Sequence, residues 1–153
     1  MNINKYGIVI ISSLFLLYGG IRLGVSSALI LQSFEWINVL DLQEALSEIS
    51  LFLDSKREQA LIPFSVLGYI GYLWLMGLLL VVGATGCWRR KPVGSVAIST
   101  FMIIYSLLFV NFVTINPKII HLLGCGLLFA VYHWLLKRDT KASVINAKAL
   151  TST

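Results

Sequence analysis

Arg22 is the residue of this sequence best placed to bind a charged molecule, because it stands alone inside an apolar run. The run reads LFLLYGGIRLGVSSALIL over residues 14–31 and contains no acidic residue. Placing an arginine at mid-bilayer costs roughly 2.5–3.5 kcal/mol on insertion scales, so its guanidinium needs a partner or a route to water. Ionisable residues inside such segments are often functional, which makes Arg22 the first candidate for a site.

Three interpretations of Arg22 are open from the sequence. Its guanidinium reaches lipid headgroups along its own alkyl chain, joins a structural polar cluster, or binds an anionic ligand. If the apolar runs pack as antiparallel helices, other polar side chains lie at a comparable depth. The candidate ligand-binding residues are therefore Arg22, Tyr69, Tyr72, Asn111 and His121.

Metal and catalytic chemistry have little support in the sequence. His121 and His133 are separated by roughly 18 Å along one helix, so they cannot share a metal. Cys125 follows His121 by one helical turn, but two ligands make a poor metal site. The sequence contains no GxSxG, HExxH or phosphate-binding glycine motif and no paired carboxylates in an apolar run. We therefore expect no catalytic residue, no metal and no cofactor.

The composition predicts that these residues are carried by membrane-spanning helices. Of 153 residues, 58% are hydrophobic and only 12% charged, whereas soluble domains carry about 25% charged residues. Four apolar runs reach or nearly reach the roughly 20 residues that a spanning helix needs. They cover residues 6–31, 63–88, 93–115 and 118–136. We predict an all-α membrane protein with one four-helix bundle, residues 1–137, and a short flexible tail, residues 138–153.

The distribution of charge predicts the orientation of the chain. Basic residues precede the first run, separate the second from the third, and follow the fourth, and six of seven acids lie between the first two runs. Under the positive-inside rule both termini are cytoplasmic and the acidic segment is extracytoplasmic. We expect a multi-pass protein of the plasma (bacterial inner) membrane. Cleavage of the first run as a signal peptide near Ser26–Ala28 is the alternative, and it would leave three spans.

Two further patterns concern packing. Residues 38–54 place apolar side chains at helical spacing, which predicts an amphipathic helix between the first two spans. Its polar face is acidic and anionic lipids repel it, so we expect it to dock on the protein's own spans or on a partner. Gly20, Gly24 and Ala28 form a small-xxx-small pattern, which packs inside the bundle or against another membrane protein or protomer.

These observations favour an interaction protein without catalysis of its own, as a complex subunit or as protection against a membrane toxin. Its partners would be the lipid bilayer and another membrane protein, with no nucleic acid. One alternative is a binding or transport module for a small anionic or amphiphilic molecule around Arg22. Another is a membrane subunit of a quinone-linked redox complex. In outline alone, the four spans and long first connecting segment resemble pore-forming bacteriocin immunity proteins and DoxX-like membrane proteins.

Overall fold

The computed structural model describes residues 3–113 and 119–151, with side chains described for residues 5–113 and 119–139. The described chain is helical and contains no strand. It forms five helices: α1 (Ile3–Ser33), α2 (Leu40–Lys56), α3 (Val66–Trp88), α4 (Pro92–Asn111) and α5 (Ile119–Thr151).

Four of these helices are long and apolar enough to cross a membrane. The candidate spans among the described residues are Lys5–Ser33, Val66–Trp88, Pro92–Asn111 and Ile119–Asp139. The prediction of an all-α, multi-pass membrane protein is therefore confirmed at this level. The predicted end of the third span, Ile115, and the predicted start of the fourth, Lys118, lie outside the described residues.

Several boundaries differ from the sequence prediction; α4, for example, ends at Asn111. Helix α3 begins at Val66 and not at Pro63, because the Ser65 hydroxyl caps it by accepting a hydrogen bond from the Gly68 backbone N–H at 3.1 Å. Helix α5 continues beyond the predicted end of the span at Leu136 to Thr151. The helix thus runs into the segment predicted to be a tail, and the mobility of that segment stays a prediction.

The four spanning helices form a ring in the order α1, α3, α4, α5. Each contacts its two neighbours in this order, and the α1–α3 interface is the most extensive. Helices α1 and α4 lie diagonally across the ring, and within the described residues their backbones do not come close to each other. Side chains pack the interior of the ring, and the most deeply buried include Phe15, Met76, Phe101 and Tyr132.

One end of the bundle, here called the turn end, holds the short connection between α3 and α4. The two helices touch backbone to backbone there: a Cβ added to Gly86 would lie 2.6 Å from the Gly94 Cα atom. Such an approach is possible only between residues without side chains. The connection itself leaves α3 through Arg90, whose φ of 54° is in the left-handed region.

Arg90 occupies a position that glycine usually holds at a helix C-terminus. The next residue, Lys91, donates its N–H to the Gly86 carbonyl at 2.9 Å, and Arg90 donates to the Cys87 carbonyl at 3.0 Å. The Arg90 guanidinium then pairs with the carboxylate of Asp139 on α5. A glycine would relieve the backbone strain but would remove this link between the turn and α5.

The opposite end, here called the α2 end, is covered by the amphipathic helix. Helix α2 contacts α1 and α3, so it docks on the protein's own spans. Leu53 is buried on the inner side of α2. The ring of Phe52, also on α2, lies 5.3 Å from the Phe112 ring, centroid to centroid. The acidic residues Asp41 and Glu44 lie on the exposed side of the helix. The apolar face thus covers the end of the bundle and the charged face points away.

Candidate ligand-binding cavity

A cavity of about 370 Å³ lies inside the bundle at the α2 end. It occupies the diagonal space between α1 and α4, where backbone contacts are missing, and α2 covers it. Its walls include residues of all five helices. These are Tyr18, Ile21, Arg22, Val25, Ser26, Leu29, Phe52, Tyr69, Leu73, Tyr105, Leu108, Phe109, Phe112 and His121.

Arg22 is held against the wall of this cavity by three contacts. Its Nη1 donates a hydrogen bond to the Tyr18 hydroxyl at 3.1 Å, one helical turn earlier. Its Nη2 lies 3.9 Å from the Met76 sulfur, which is a weak acceptor. Its Cζ lies 5.0 Å from the centroid of the Tyr105 ring, within cation–π range. The guanidinium therefore points into the bundle, among buried side chains of α3 and α4.

The charge of Arg22 has no carboxylate counter-ion among the described side chains. Among the described residues, Arg90 and Asp139 form an ion pair, and this pair lies at the turn end. Moreover, Arg22 Nε is buried and makes no hydrogen bond within the described part of the chain. Each unpaired donor in a low-dielectric site costs free energy, and an unpaired charge costs more. An anion in the cavity would supply the missing charge.

The α2 side of the cavity is closed by three aromatic rings, here called the aromatic roof: Phe52, Tyr69 and Phe112. Phe52 and Tyr69 lie 6.2 Å apart, and Tyr69 and Phe112 lie 6.1 Å apart, centroid to centroid. The Phe112 ring meets Phe52 and Tyr69 in edge-to-face geometry, a favoured arrangement for aromatic pairs. The roof presents apolar surface to the cavity, so it suits the hydrocarbon part of a ligand.

The structure brings together three of the five residues predicted for the site. Arg22, Tyr69 and His121 all line the cavity. His121 lies at its outer edge, with its ring 6.2 Å from the ring of Tyr18. The sequence placed these three residues at the same depth along antiparallel helices. They also meet in the cavity because each lies on the side of its helix that faces the cavity.

The other two predicted residues, Tyr72 and Asn111, lie at a similar depth but are used elsewhere. The Tyr72 hydroxyl donates to the Ile104 carbonyl at 2.6 Å and so links α3 to α4. Asn111 accepts from the Ile62 N–H at 2.8 Å and donates to the Ile62 carbonyl at 3.1 Å. Its amide thus anchors the segment that leads from α2 to α3. Depth alone does not give the rotation of a helix about its own axis.

Two tyrosines that contact Arg22 were missed in the sequence. Tyr18 precedes Arg22 by four residues, so it lies on the same helix face, and this spacing was a usable signal. Tyr105 lies on the diagonal helix α4 and gives no local signal. Its contact with Arg22 depends on how the four helices pack around the ring.

The small-xxx-small pattern of α1 does not pack inside the bundle as the simpler interpretation predicted. A Cβ added to Gly20 or Gly24 would meet no atom within 4 Å. The glycines at the close approach of α1 and α3 are instead Gly19, where an added Cβ would lie 2.7 Å from the Leu80 Cβ, and Gly77 on α3, where it would lie 2.8 Å from the Leu23 N atom. Gly20 and Gly24 therefore lie on an open face, and binding of a partner there stays a prediction.

The cavity is lined by one guanidinium, one imidazole, hydroxyl groups and aromatic rings. No group of three or more His, Cys, Asp or Glu side chains that could hold a metal occurs within the described part of the chain. A cation, hydroxyl groups and aromatic walls remain, and these bind and orient a molecule. Comparison of the chain with protein-family models, curated proteins and solved structures finds no match.

Proposed function

We propose that this protein binds a small amphiphilic anion in the cavity at the α2 end, with Arg22 as the contact for the anionic head. The observation that carries the proposal is the state of Arg22, whose charge is unpaired among the described side chains. A transport role would require release of the same ligand. We therefore prefer binding of a small anion to the partner-binding function that the sequence favoured first.

The donor set at Arg22 suits a carboxylate or a phosphate. Guanidinium groups form charge-assisted hydrogen bonds with both, and these are about twice as strong as neutral ones. The hydroxyl groups of Tyr18 and Ser26 line the same cavity and supply further polar contacts. A quinone is a weaker candidate, since a neutral carbonyl would leave the charge of Arg22 uncompensated.

The rest of the cavity suits an apolar body. Phe52, Leu73, Leu108 and Phe109 contribute hydrocarbon and aromatic surface to its walls. Ligand pockets of about 300–1,000 Å³ are usually lined in this way, with few polar groups that fix orientation. The cavity is at the small end of that range, so it favours a single chain or ring over a two-chain lipid.

A displacement assay tests the proposal. The probe is 11-(dansylamino)undecanoate, excited by energy transfer from the protein's tryptophans, and the competitors are laurate and dodecyl phosphate. We expect Arg22→Gln to weaken binding about tenfold or more, because a charged hydrogen-bond donor is lost. Arg22→Lys keeps the charge and should retain part of the affinity. Arg89→Gln, an exposed arginine at the turn end, is the matched control. Equal binding by all four proteins would refute the assignment.

We also propose that both termini are cytoplasmic, that α2 is extracytoplasmic, and that the membrane is the plasma membrane. The support is the charge distribution: basic residues cluster at the turn end and acidic residues around α2. Topology reporters fused after Asp54 and after Lys141 test the orientation. Signals from opposite sides of the membrane are expected, whereas signals from one side would overturn it.

Binding of another membrane protein stays the second candidate. It is favoured by the open face of α1 at Gly20 and Gly24, where a neighbouring helix would meet no side chain. Gly24→Leu should reduce association on this face, measured as loss of a slower-migrating complex in mild detergent, while Gly71→Leu serves as the control. Gly71 also has no atom within 4 Å of an added Cβ, and it lies on α3.

A further inference from the structure

Resting on the proposed binding function, we propose that the cavity loads sideways from the hydrocarbon of the bilayer, through an opening between α1 and α5. The ligand is then a membrane-dissolved, single-chain amphiphile with a carboxylate or phosphate head. Three features of the cavity lead to this inference: the position of its exposed wall residues, the closure of its α2 side, and the spreading of α1 and α5.

The exposed wall residues lie on one flank of the bundle. Ile21 and Val25 on α1 line the cavity and are 58% and 53% exposed. His121 on α5 also lines the cavity and is exposed. These three residues are here called the mouth. By contrast, wall residues deeper in the bundle, such as Tyr105 and Leu108, are buried. The cavity therefore opens toward the side of α1 and α5.

The surface around the mouth is apolar, as a lipid-facing surface must be. Leu17 on α1 is 63% exposed, and Ile120 and Leu123 on α5 are 67% and 66% exposed. A hydrated anion approaching this flank would have to cross hydrocarbon first. An amphiphile already dissolved in the bilayer presents its chain to the same surface without that cost.

The α2 side offers a less direct route. Tyr69 and Phe112 of the aromatic roof are buried, and Phe52 lies against both. Leu53, the neighbour of Phe52 on α2, is also buried. Entry from this side would require α2 to lift and break these ring contacts. Entry through the mouth requires only rotation of side chains that already face outward.

The packing of α1 against α5 explains why the mouth exists. Toward the turn end the two helices are close, since a Cβ added to Gly7 would lie 2.6 Å from a Leu135 methyl group. Toward the α2 end the contact is between two rings, Tyr18 and His121, with 6.2 Å between centroids. Gly124 on α5 also faces open space there. A change from a close approach at Gly7 to a contact between side-chain rings near Arg22 indicates that the helices spread toward the α2 end, where the mouth lies.

Loading rates test the route separately from binding itself. The protein is reconstituted in lipid nanodiscs and mixed with vesicles that carry 11-(dansylamino)undecanoate, and energy transfer from tryptophan is followed in time. We expect Val25→Phe to slow loading about tenfold and Val25→Ala to speed it, because the side chain narrows or widens the mouth. Leu17→Phe and Leu17→Ala are the controls: Leu17 is exposed on the same helix but is not a wall residue.

A second arm separates the two possible sources of the anion. Laurate and dodecyl phosphate should displace the probe, whereas acetate and inorganic phosphate, which have the same heads without a chain, should not do so at about 1,000-fold higher concentration. Displacement by the free anions would show a water-filled route and overturn the inference.

The outcomes also separate this inference from the proposed function. If binding depends on Arg22 but the Val25 variants load like the Leu17 variants, the sideways route is wrong and the binding function stands. Faster loading by Phe52→Ala in that case would place the entry beneath α2. If the wild-type protein does not bind the probe at all, the proposed function itself fails.

Discussion

At the turn end α3 and α4 meet backbone to backbone, whereas toward the α2 end the diagonal pair α1 and α4 is held apart around a cavity, although α1 and α3 stay close where Gly77 faces the Leu23 backbone. Gly86 and Gly94 allow the first arrangement, since neither carries a side chain. At the α2 end, large side chains such as Tyr105 and Phe52 keep the helices apart and leave about 370 Å³ between them. The close packing at one end and the cavity at the other are the two features that the proposed binding function combines.

The same contrast appears in two arginines. Arg90 pairs with a carboxylate that is only 10% exposed, and this pair ties the α3–α4 turn to α5. Arg22 contacts a hydroxyl, a thioether and an aromatic ring, and none of these carries a negative charge. An arginine whose charge is matched inside the protein stabilises the fold. An arginine whose charge is unmatched is available to a ligand.

The largest effect on stability is expected from filling the closely packed end. Gly86→Leu should lower the free energy of unfolding by at least about 3 kcal/mol, because its side chain would collide with backbone and force α3 from α4. Gly24→Leu, with nothing within 4 Å, is the matched control and should change it little. Unfolding in mixed detergent micelles measures both. Similar stability of the two variants would show that the ends do not differ in packing.

A smaller loss is expected from breaking the ion pair at the turn end. Asp139→Ala should cost about 2 kcal/mol, below the 3–5 kcal/mol of fully buried pairs, because the Arg90 side chain is 38% exposed. A double-mutant cycle with Arg90→Gln isolates the coupling between the two residues. Additive effects would mean that the pair contributes nothing to the rigid end.

Next comes the amide that anchors the segment between α2 and α3. Asn111→Ala should cost about 1–3 kcal/mol, because the backbone N–H and carbonyl of Ile62 both lose their partner. Asn38→Ala is the control, since Asn38 is exposed and bonds only another exposed side chain, Gln43, at 2.7 Å. Equal effects would assign Asn111 no structural role and return it to the set of candidate ligand contacts.

The smallest effect on stability is expected at Arg22, where binding changes most. Arg22→Leu should alter the free energy of unfolding by less than about 1 kcal/mol, since it removes an uncompensated charge together with three modest contacts. Unfolding and probe displacement are measured on the same preparation. A loss as large as that of Asp139→Ala would identify Arg22 as a structural residue and remove the contrast between the two arginines.

Part of the candidate site could be predicted from the sequence because membrane burial imposes simple rules. An isolated arginine in an apolar run indicates a candidate site, and antiparallel helices place Tyr69 and His121 at the same depth as this arginine. Tyr72 was grouped with Arg22 on depth alone, and depth did not show that it lies outside the cavity wall. Tyr69 and Tyr72 differ by three residues, and only the packing of α3 decides that one faces the cavity and the other faces Ile104.

The glycines of α1 also show that spacing does not give the rotation of a helix. The sequence predicts that Gly20 and Gly24 pack closely, yet the glycine of α1 at the contact with α3 is the adjacent Gly19. A shift of one residue rotates the contact by about 100° around a helix. Spacing alone fixes which residues share a face, but it does not say which face meets a neighbour.

The sequence alone determined that this chain forms four apolar helices with an amphipathic helix between the first two, because helix length and hydropathy are local properties that a bilayer selects directly. Only the tertiary structure decided where the charge of Arg22 lies. That decision required the rotation of each helix, the diagonal placement of α1 and α4, and the spreading of α1 from α5. These depend on side-chain packing between residues far apart in the chain, which no local pattern records.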